Sequence, residues 1–209
     1  MKVLAFDTAT SVFSVALSTE SGLWYSESNA GLHHEELVLS VANELLARAG
    51  IVPADLGAVA CMQGPGSFTG IRIGFSAAKG IATALNIPLK TAPTLDCMAH
   101  SGAVWPGTVL PVIDAKAHRF FAVLYRGQTR ISDYLDATVA ELAAILETDP
   151  VLLTGPGADA FLPEVQHLLP DHRFFLDPHR NRGNAAVLLT VAQEGPALPM
   201  YLRKSAAES

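Results

Sequence analysis

Residues 3–17 read VLAFDTATSVFSVAL: an apolar strand closing on an acid, a short turn rich in hydroxyls, then a second apolar strand. The same order returns at an offset of 107 residues. LPVID at 110–114 answers VLAFD at 3–7, and Ala122-Val123-Leu124 answers Val15-Ala16-Leu17. A second echo follows, because Gly64-Pro65-Gly66 and Gly155-Pro156-Gly157 each come straight after an apolar strand.

Working outward, KVLAFD, VFSVALST and LWYSES read as three strands. A helix from about 33 to 49 carries the apolar stripe Leu37, Val41, Leu45 and Leu46. A strand before Gly64, a helix from Thr69 and a strand IPLKT come next. A further helix is opened by Pro93, with Thr94 and Asp96 in its first turn. GAVWPG at 102–107 marks a boundary. Beyond it TVLPVID, RFFAVLYR and a stretch near TRISDYL read as strands. A helix over 138–147, strand VLLT, a helix over 157–169, strand RFFL and a helix over 184–194 complete the second half. The chain is therefore expected to be α/β, with two tandem lobes at 1–105 and 106–209. Each is a mixed sheet in the order β-β-β-α-β-α-β-α, and the last residues pack back on the first lobe. This is the organisation of the actin-like (ASKHA, RNase H-like) superfamily, which by itself assigns no function.

The glycines of MQGPGSFTGIRIG at 62–74 raise the question of phosphate binding. A strand, a glycine turn and a helix start place free N–H groups where anions bind. The P-loop ending Gly-Lys-Ser/Thr is missing, since Gly70 is followed by Ile71 and Arg72. Nor is this G-x-S-x-G, because Pro65 stands where that elbow needs glycine. The plainer reading is a structural turn built on Gly64, Pro65, Gly66 and Gly70, with Ser67 or Thr69 capping the helix.

Half of the 209 residues are hydrophobic, which predicts a well-filled core. The net charge of −6 is shared evenly between the halves. An acidic chain with no basic run lacks the Lys and Arg density that neutralises nucleic-acid phosphates. RNA, if engaged, is expected to be held by a partner. Cys61 and Cys97 lack metal-ligand spacing and read as buried reduced thiols. MKVLAFD has no signal-peptide h-region, and no apolar run reaches bilayer length. The expectation is a cytoplasmic protein with no membrane association.

On VLAFDTATSVFSVAL, LHHEELVLSVANELL, GPGSFTGIRIGFSAAKGIA, VIDAKAHRFFAVLY and PMYLRKSAAE, which span almost the whole chain, the sequence resembles the bacterial TsaB (YeaZ) family. That resemblance implies a non-catalytic subunit needed for threonylcarbamoyl transfer to adenosine 37 of tRNA. It implies docking of a fold-related TsaD-type catalytic subunit through the first lobe, and recruitment of a TsaE-type ATPase. Contact with tRNA would come only through the complex, and a homodimer would form when the chain is alone. It also implies a short member of the family, with a reduced C-terminal helix. No cofactor is expected on the chain alone; ATP or ADP at the joint with the catalytic partner stays open.

Asp7, with Thr8 and Thr10, sits where actin-like ATPases keep an acid and hydroxyls near metal-bound phosphate, and Asp114 is its counterpart in the second lobe. The alternative is a remnant whose carboxylate caps the turn between strands. Asp114 runs into Ala115-Lys116-Ala117-His118, not a small hydroxyl- and glycine-rich turn. An ATP-dependent phosphotransferase is the runner-up activity, and a peptidase the third. In His33-His34-Glu35-Glu36 the position four after His34 is Val38, so H-E-x-x-H is absent and no metal site is expected. His167 and His172, separated by Pro170, read as loop. The face carrying Glu36, Leu37, Ser40, Ile71, Arg72, Phe75 and Lys79 is the expected docking surface. Gly70, Gly74, Ala77, Ala78 and Gly80 would allow close approach of another helix. A self-pair through the same face is expected without the partner.

Overall fold

The computed structural model describes residues 1–29, 34–195 and 198–203, with the backbone alone for 34–36. The first half runs β1 (Val3–Asp7), β2 (Phe13–Thr19), β3 (Gly22–Ser28) and α1 (His34–Arg48). A short 3-10 turn precedes β4 (Ala58–Met62), α2 (Phe68–Leu85), β5 (Leu89–Ala92) and α3 (Thr94–His100). The second half runs β6 (Thr108–Asp114), β7 (Arg119–Ala122), β8 (Tyr125–Arg126), β9 (Thr129–Arg130) and β10 (Leu135–Thr138). It closes with α4 (Val139–Ala143), β11 (Val151–Thr154), α5 (Ala158–Leu168), β12 (Phe174–Leu176), α6 (Ala185–Val191) and β13 (Gln193–Glu194). The order expected of two duplicated α/β lobes is present, with an added hairpin, β8–β9.

In the first unit the sheet order is β13-β5-β4-β1-β2-β3. β1, β4 and β5 are parallel; β2, β3 and β13 run against their neighbours. Alternation along β1 decides which helices cover which face. Leu4 and Phe6 point into a core with Val38, Leu45, Leu46, Phe75 and Ala78 of α1 and α2. Ala5 points the other way, with Ala16, Ala60 and Met62, onto Ala185 and Leu188 of α6. The small side chains on that face leave room for a helix to lie close to the strands.

The second unit has sheet order β10-β7-β6-β11-β12. Leu110, Val112, Phe120, Leu142, Leu153, Phe161 and Val165 fill its core, with Phe120 and Phe161 edge to face at 5.2 Å. RFFAVLYR was expected as one strand but is two. β7 pairs with Val112–Asp114, while β8 pairs further back along β6 at Thr108 and Val109. Between them the amide of Leu124 leaves the ladder for Ser132 Oγ at 2.9 Å. The helix expected over 138–147 is one short turn, Val139–Ala143, opened by a reciprocal cap between Thr138 and Glu141. His167 lies in the last turn of α5, not in a loop.

The division at residue 105/106 is replaced by another. One compact unit comprises Met1–Cys97 with Gly183–Met200; the other comprises Met98–Arg182 with the residues from Tyr201. The far end of the chain returns to the first unit, where β13 extends its sheet and α6 packs on the sheet's face. No described helix is long and apolar enough to cross a membrane.

Candidate functional site

Asp7 ends β1 and is 0% exposed. Its Oδ1 accepts the Ala9 amide at 3.1 Å, the turn cap expected of a remnant acid. Its Oδ2 accepts the Asn184 amide at 2.8 Å, at the start of α6. Register places Asp7 opposite Ser14, and Ser14 opposite Glu27, so three polar residues line up across β1, β2 and β3. All three receive backbone amides from consecutive residues. Glu27 accepts from Gly183 at 3.1 Å, Asp7 from Asn184, and Ser14 Oγ from Ala185 at 3.1 Å. Tyr25 adds a hydroxyl donated to the Gly183 carbonyl at 2.9 Å. Burial, then Glu27, pushes its phenol well above the ordinary range. A side chain at Gly183 would collide with Ser14, so only glycine fits there. The row thus binds the amino end of a helix, whose unpaired N–H groups favour an anionic neighbour.

The glycine turn is occupied in the same way. A Cβ at Gly64 would meet the Met200 carbonyl oxygen, at Gly66 that of Ala9, and at Gly70 that of Thr8. A phosphate cradle turns N–H groups toward its ligand, whereas these glycines press against the chain's own carbonyls. The Ser67 amide is spent on Ala9 O at 2.7 Å, and Ser67 Oγ caps the Gly70 amide at 3.2 Å. Of the two expected caps, Ser67 is the one used, and Thr69 is exposed. Thr8 Oγ1 donates to Gly70 O at 2.7 Å, and Gly74 fits against the Thr8 side chain. Thr10 bonds locally to Val12. Gly70 and Gly74 therefore seat α2 on its own lobe and are not available to another helix; Ala78 is also buried.

In the second unit Asp114 is exposed and held by Lys116, through the amide at 2.7 Å and the ammonium at 3.0 Å. Desolvation pulls the other way, but these Lys116 bonds keep its carboxyl below the ordinary range. Lys116, Ala117 and His118 are successive left-handed residues, at φ 64°, 53° and 57°. That conformation is costly for side chains with a Cβ. Arg203, from the YLR segment, braces the turn by donating to Ala115 O at 3.0 Å, while gripping Asp136 through two bonds of 2.8 Å. Asp7 and Asp114 lie in different units.

Asp7 holds two backbone amides, the glycines of the turn press against the chain's own carbonyl oxygens, and Asp114 is paired with Lys116. No group of three or more His, Cys, Asp and Glu able to hold a metal occurs among the described residues. Burial pushes the Cys61 thiol to about 12 and the Cys97 thiol well above its usual value, so neither is a nucleophile at neutral pH.

Of the expected docking residues, Ile71 and Phe75 require correction. They are 1% and 5% exposed, inside their own unit, because positions 71, 75, 78 and 82 form the inward stripe of α2. Arg72 and Lys79 do face solvent, with the Arg72 guanidinium 3.7 Å above the Phe68 ring. On α1, Ser40 is exposed and Leu37 partly so, and Leu39, not singled out from the sequence, is 56% exposed. His33 and the side chains of His34, Glu35 and Glu36 lie outside the described residues. Ser14, Tyr25, Glu27 and Gly183 also escaped the sequence reading. Their only signal was polar residues inside strands, which becomes legible once the register is known.

The two sheets define an actin-like fold. A Bacteroides thetaiotaomicron protein with an actin-like ATPase fold superposes with a TM-score of 0.53 at 9% identity, over 90% of this chain and 95% of that one. A Pseudomonas aeruginosa protein described as similar to the peptidase YEAZ superposes at 0.82 and 24% identity, over 97% and 99%. Residues 28–165 match the family model described as TsaD: tRNA N6-adenosine threonylcarbamoyltransferase, and the chain belongs to that family. Within it the chain is similar to TsaB proteins. The Bacillus subtilis tRNA threonylcarbamoyladenosine biosynthesis protein TsaB is 26% identical over 226 residues, spanning 100% of this chain and 97% of the relative. That of Escherichia coli is 34% identical over 128 residues, 60% and 55% respectively.

Proposed function

We propose that this chain is the non-catalytic TsaB-type subunit required for threonylcarbamoyl transfer to adenosine 37 of tRNA. In this reading it docks the TsaD-type catalytic subunit through the exposed face of α1 and α2, around Leu39, Ser40, Arg72 and Lys79. The observation that carries the non-catalytic part is the use of Asp7: both carboxylate oxygens accept backbone amides, one of them from the start of α6. Two backbone amides on the carboxylate, one of them tying it to the start of α6, favour a structural acid over one that positions Mg²⁺ or water. ATP or ADP at the joint between the subunits would then rest on the partner's residues. A TsaE-type ATPase joins the assembly, tRNA is reached through the complex, and the protein acts in the cytoplasm. When alone the chain pairs with itself.

The test is mass-spectrometric quantitation of threonylcarbamoyladenosine in tRNA after depletion, with add-back of wild-type chain or of Arg72→Glu/Lys79→Glu. Loss of the nucleoside restored by wild type, and poorly by the double variant, is the expected result. An unchanged level would refute the reading and favour an ATP-dependent activity of the fold.

A further inference from the structure

β12 is the outer strand of the second sheet, and the phase of its hydrogen bonds determines what it offers. Val151 donates to Arg173 O at 2.9 Å, and Asp177 donates to Leu153 O at 2.9 Å. Bonding alternates along a parallel ladder, so 173, 175 and 177 turn their backbone groups toward β11. Phe174 and Leu176 turn theirs outward, where β12 has no strand partner among the described residues. The strand is short, but no charge, proline or bulge within Phe174–Leu176 blocks its edge. Such a row of alternating donors and acceptors is matched in full by another extended backbone.

The side chains decide which backbone fits. Phe174 and Leu176 pack on their own core, so alternation puts Arg173 and Phe175 on the opposite face. Phe175 is 45% exposed with its ring 5.0 Å from that of Trp105, and Val104, next to Trp105 in the chain, is 95% exposed. Arg173 is exposed and has no ion pair among the described residues. The complement of this face is an apolar stretch ending in an acid. A second copy does not supply that acid. Antiparallel pairing about Phe175 would set Asp177 against Arg173, and Asp177 is 6% exposed. It already accepts from Ser101 and Thr154 at 2.9 Å and from the His179 amide at 2.8 Å.

The chain itself shows the kind of strand that closes such an edge. The duplication makes β5 the counterpart of β12, and β5 is covered by the short antiparallel strand β13, with Gln193 opposite Thr91 and the acid Glu194 opposite Lys90. No described segment does this for β12. We propose that β12 is a docking edge for an extended segment of a different protein, added antiparallel, with an apolar residue over Phe175 and an acid against Arg173. This docking uses residues of the second unit only and goes beyond the reading above, so the tRNA assay and the binding assay fail independently.

The experiment titrates the full chain with an end-blocked synthetic peptide, Thr-Ser-Leu-Val-Val-Glu-Ser, whose Leu-Val-Val run lies opposite Leu176, Phe175 and Phe174 and whose Glu meets Arg173. Amide hydrogen exchange reads the complex. The expected result is saturable binding below about 1 mM, with the Phe174 and Leu176 amides slowed. Changing the peptide's Glu to Lys weakens binding about fivefold. N-methylating its Leu and second Val, whose N–H groups point at β12, abolishes it. Phe175→Glu weakens binding at least about tenfold; the peptide controls use the unmodified chain and so stand even if that variant folds poorly. No binding, binding that leaves the Phe174 and Leu176 amides unchanged, or equal binding of either control peptide would overturn the proposal. So would slowing of those amides when the chain alone is concentrated from about 1 to 200 µM, which would make a second copy the occupant.

Discussion

Removing the Asp7 carboxylate separates a structural acid from a catalytic one. In an ATPase, Asp7→Ala would abolish turnover and leave the fold intact. Here the side chain accepts the amides of Ala9 and Asn184 at 3.1 and 2.8 Å, at a site with 0% exposure. Asp7→Ala strands one buried and one part-buried N–H donor, each costing up to about 1–3 kcal/mol. The sum is up to about 2–6 kcal/mol, a large share of a domain's stability. Asp7→Asn keeps one acceptor oxygen and turns an N–H₂ group against the other amide, so its loss should be about half as great. Urea unfolding of the three chains gives the order: wild type most stable, then Asn, then Ala. Hydrogen exchange localises the effect, because the amides of 184–188 should exchange faster while those of α5 are unchanged. If Asp7→Asn matched wild type within about 0.5 kcal/mol, with α6 equally protected, the clamp would not be what Asp7 provides.

Three further outcomes follow from the geometry. Gly70→Val drives a side chain into the Thr8 carbonyl and should destabilise by about 2–4 kcal/mol, whereas Gly80→Ala, with nothing within 4 Å, should be neutral or stabilising in a melting experiment. Asp136 is partly desolvated, but Arg203 and then Arg119 hold its carboxyl below the ordinary 3.8. The stability it contributes is therefore full above pH 3.8 and is lost as pH falls through the lower folded value. Arg203→Ala should cost about 1 kcal/mol at neutral pH and flatten that acid-side loss, read from urea midpoints between pH 5 and about 3. A thiol reagent should label neither Cys61 nor Cys97 in the native chain and both after denaturation; fast native labelling would contradict their burial.

Local pattern sufficed for most elements and their order, but not for the break between β7 and β8 or for the short strand β13. Leu4 and Phe6 alternating with Ala5, the 3.6-residue spacing along α2, and Ser67 ahead of that helix each depend on residues within a few positions. The duplication was legible for the same reason, since each copy repeats its own strands and turns. Ile71 and Phe75 show where this stops. The apolar arc of α2 runs from Ile71 through Ile73, Phe75 and Ala77, broad enough that sequence could not say which side meets the sheet and which meets solvent. The role of Asp7 lay further out of reach, because one of its partners is the amide of Asn184, 177 residues away. A backbone N–H carries no side-chain signature, so nothing in the letters at 184 announces that it will meet a carboxylate. Sequence alone determined two α/β lobes with an acid at the end of each first strand. Only the tertiary structure decided that the first acid accepts the backbone amide at the start of a helix from the far end of the chain. That choice depends on a long-range approach of backbone groups, which burial enforces and composition does not encode.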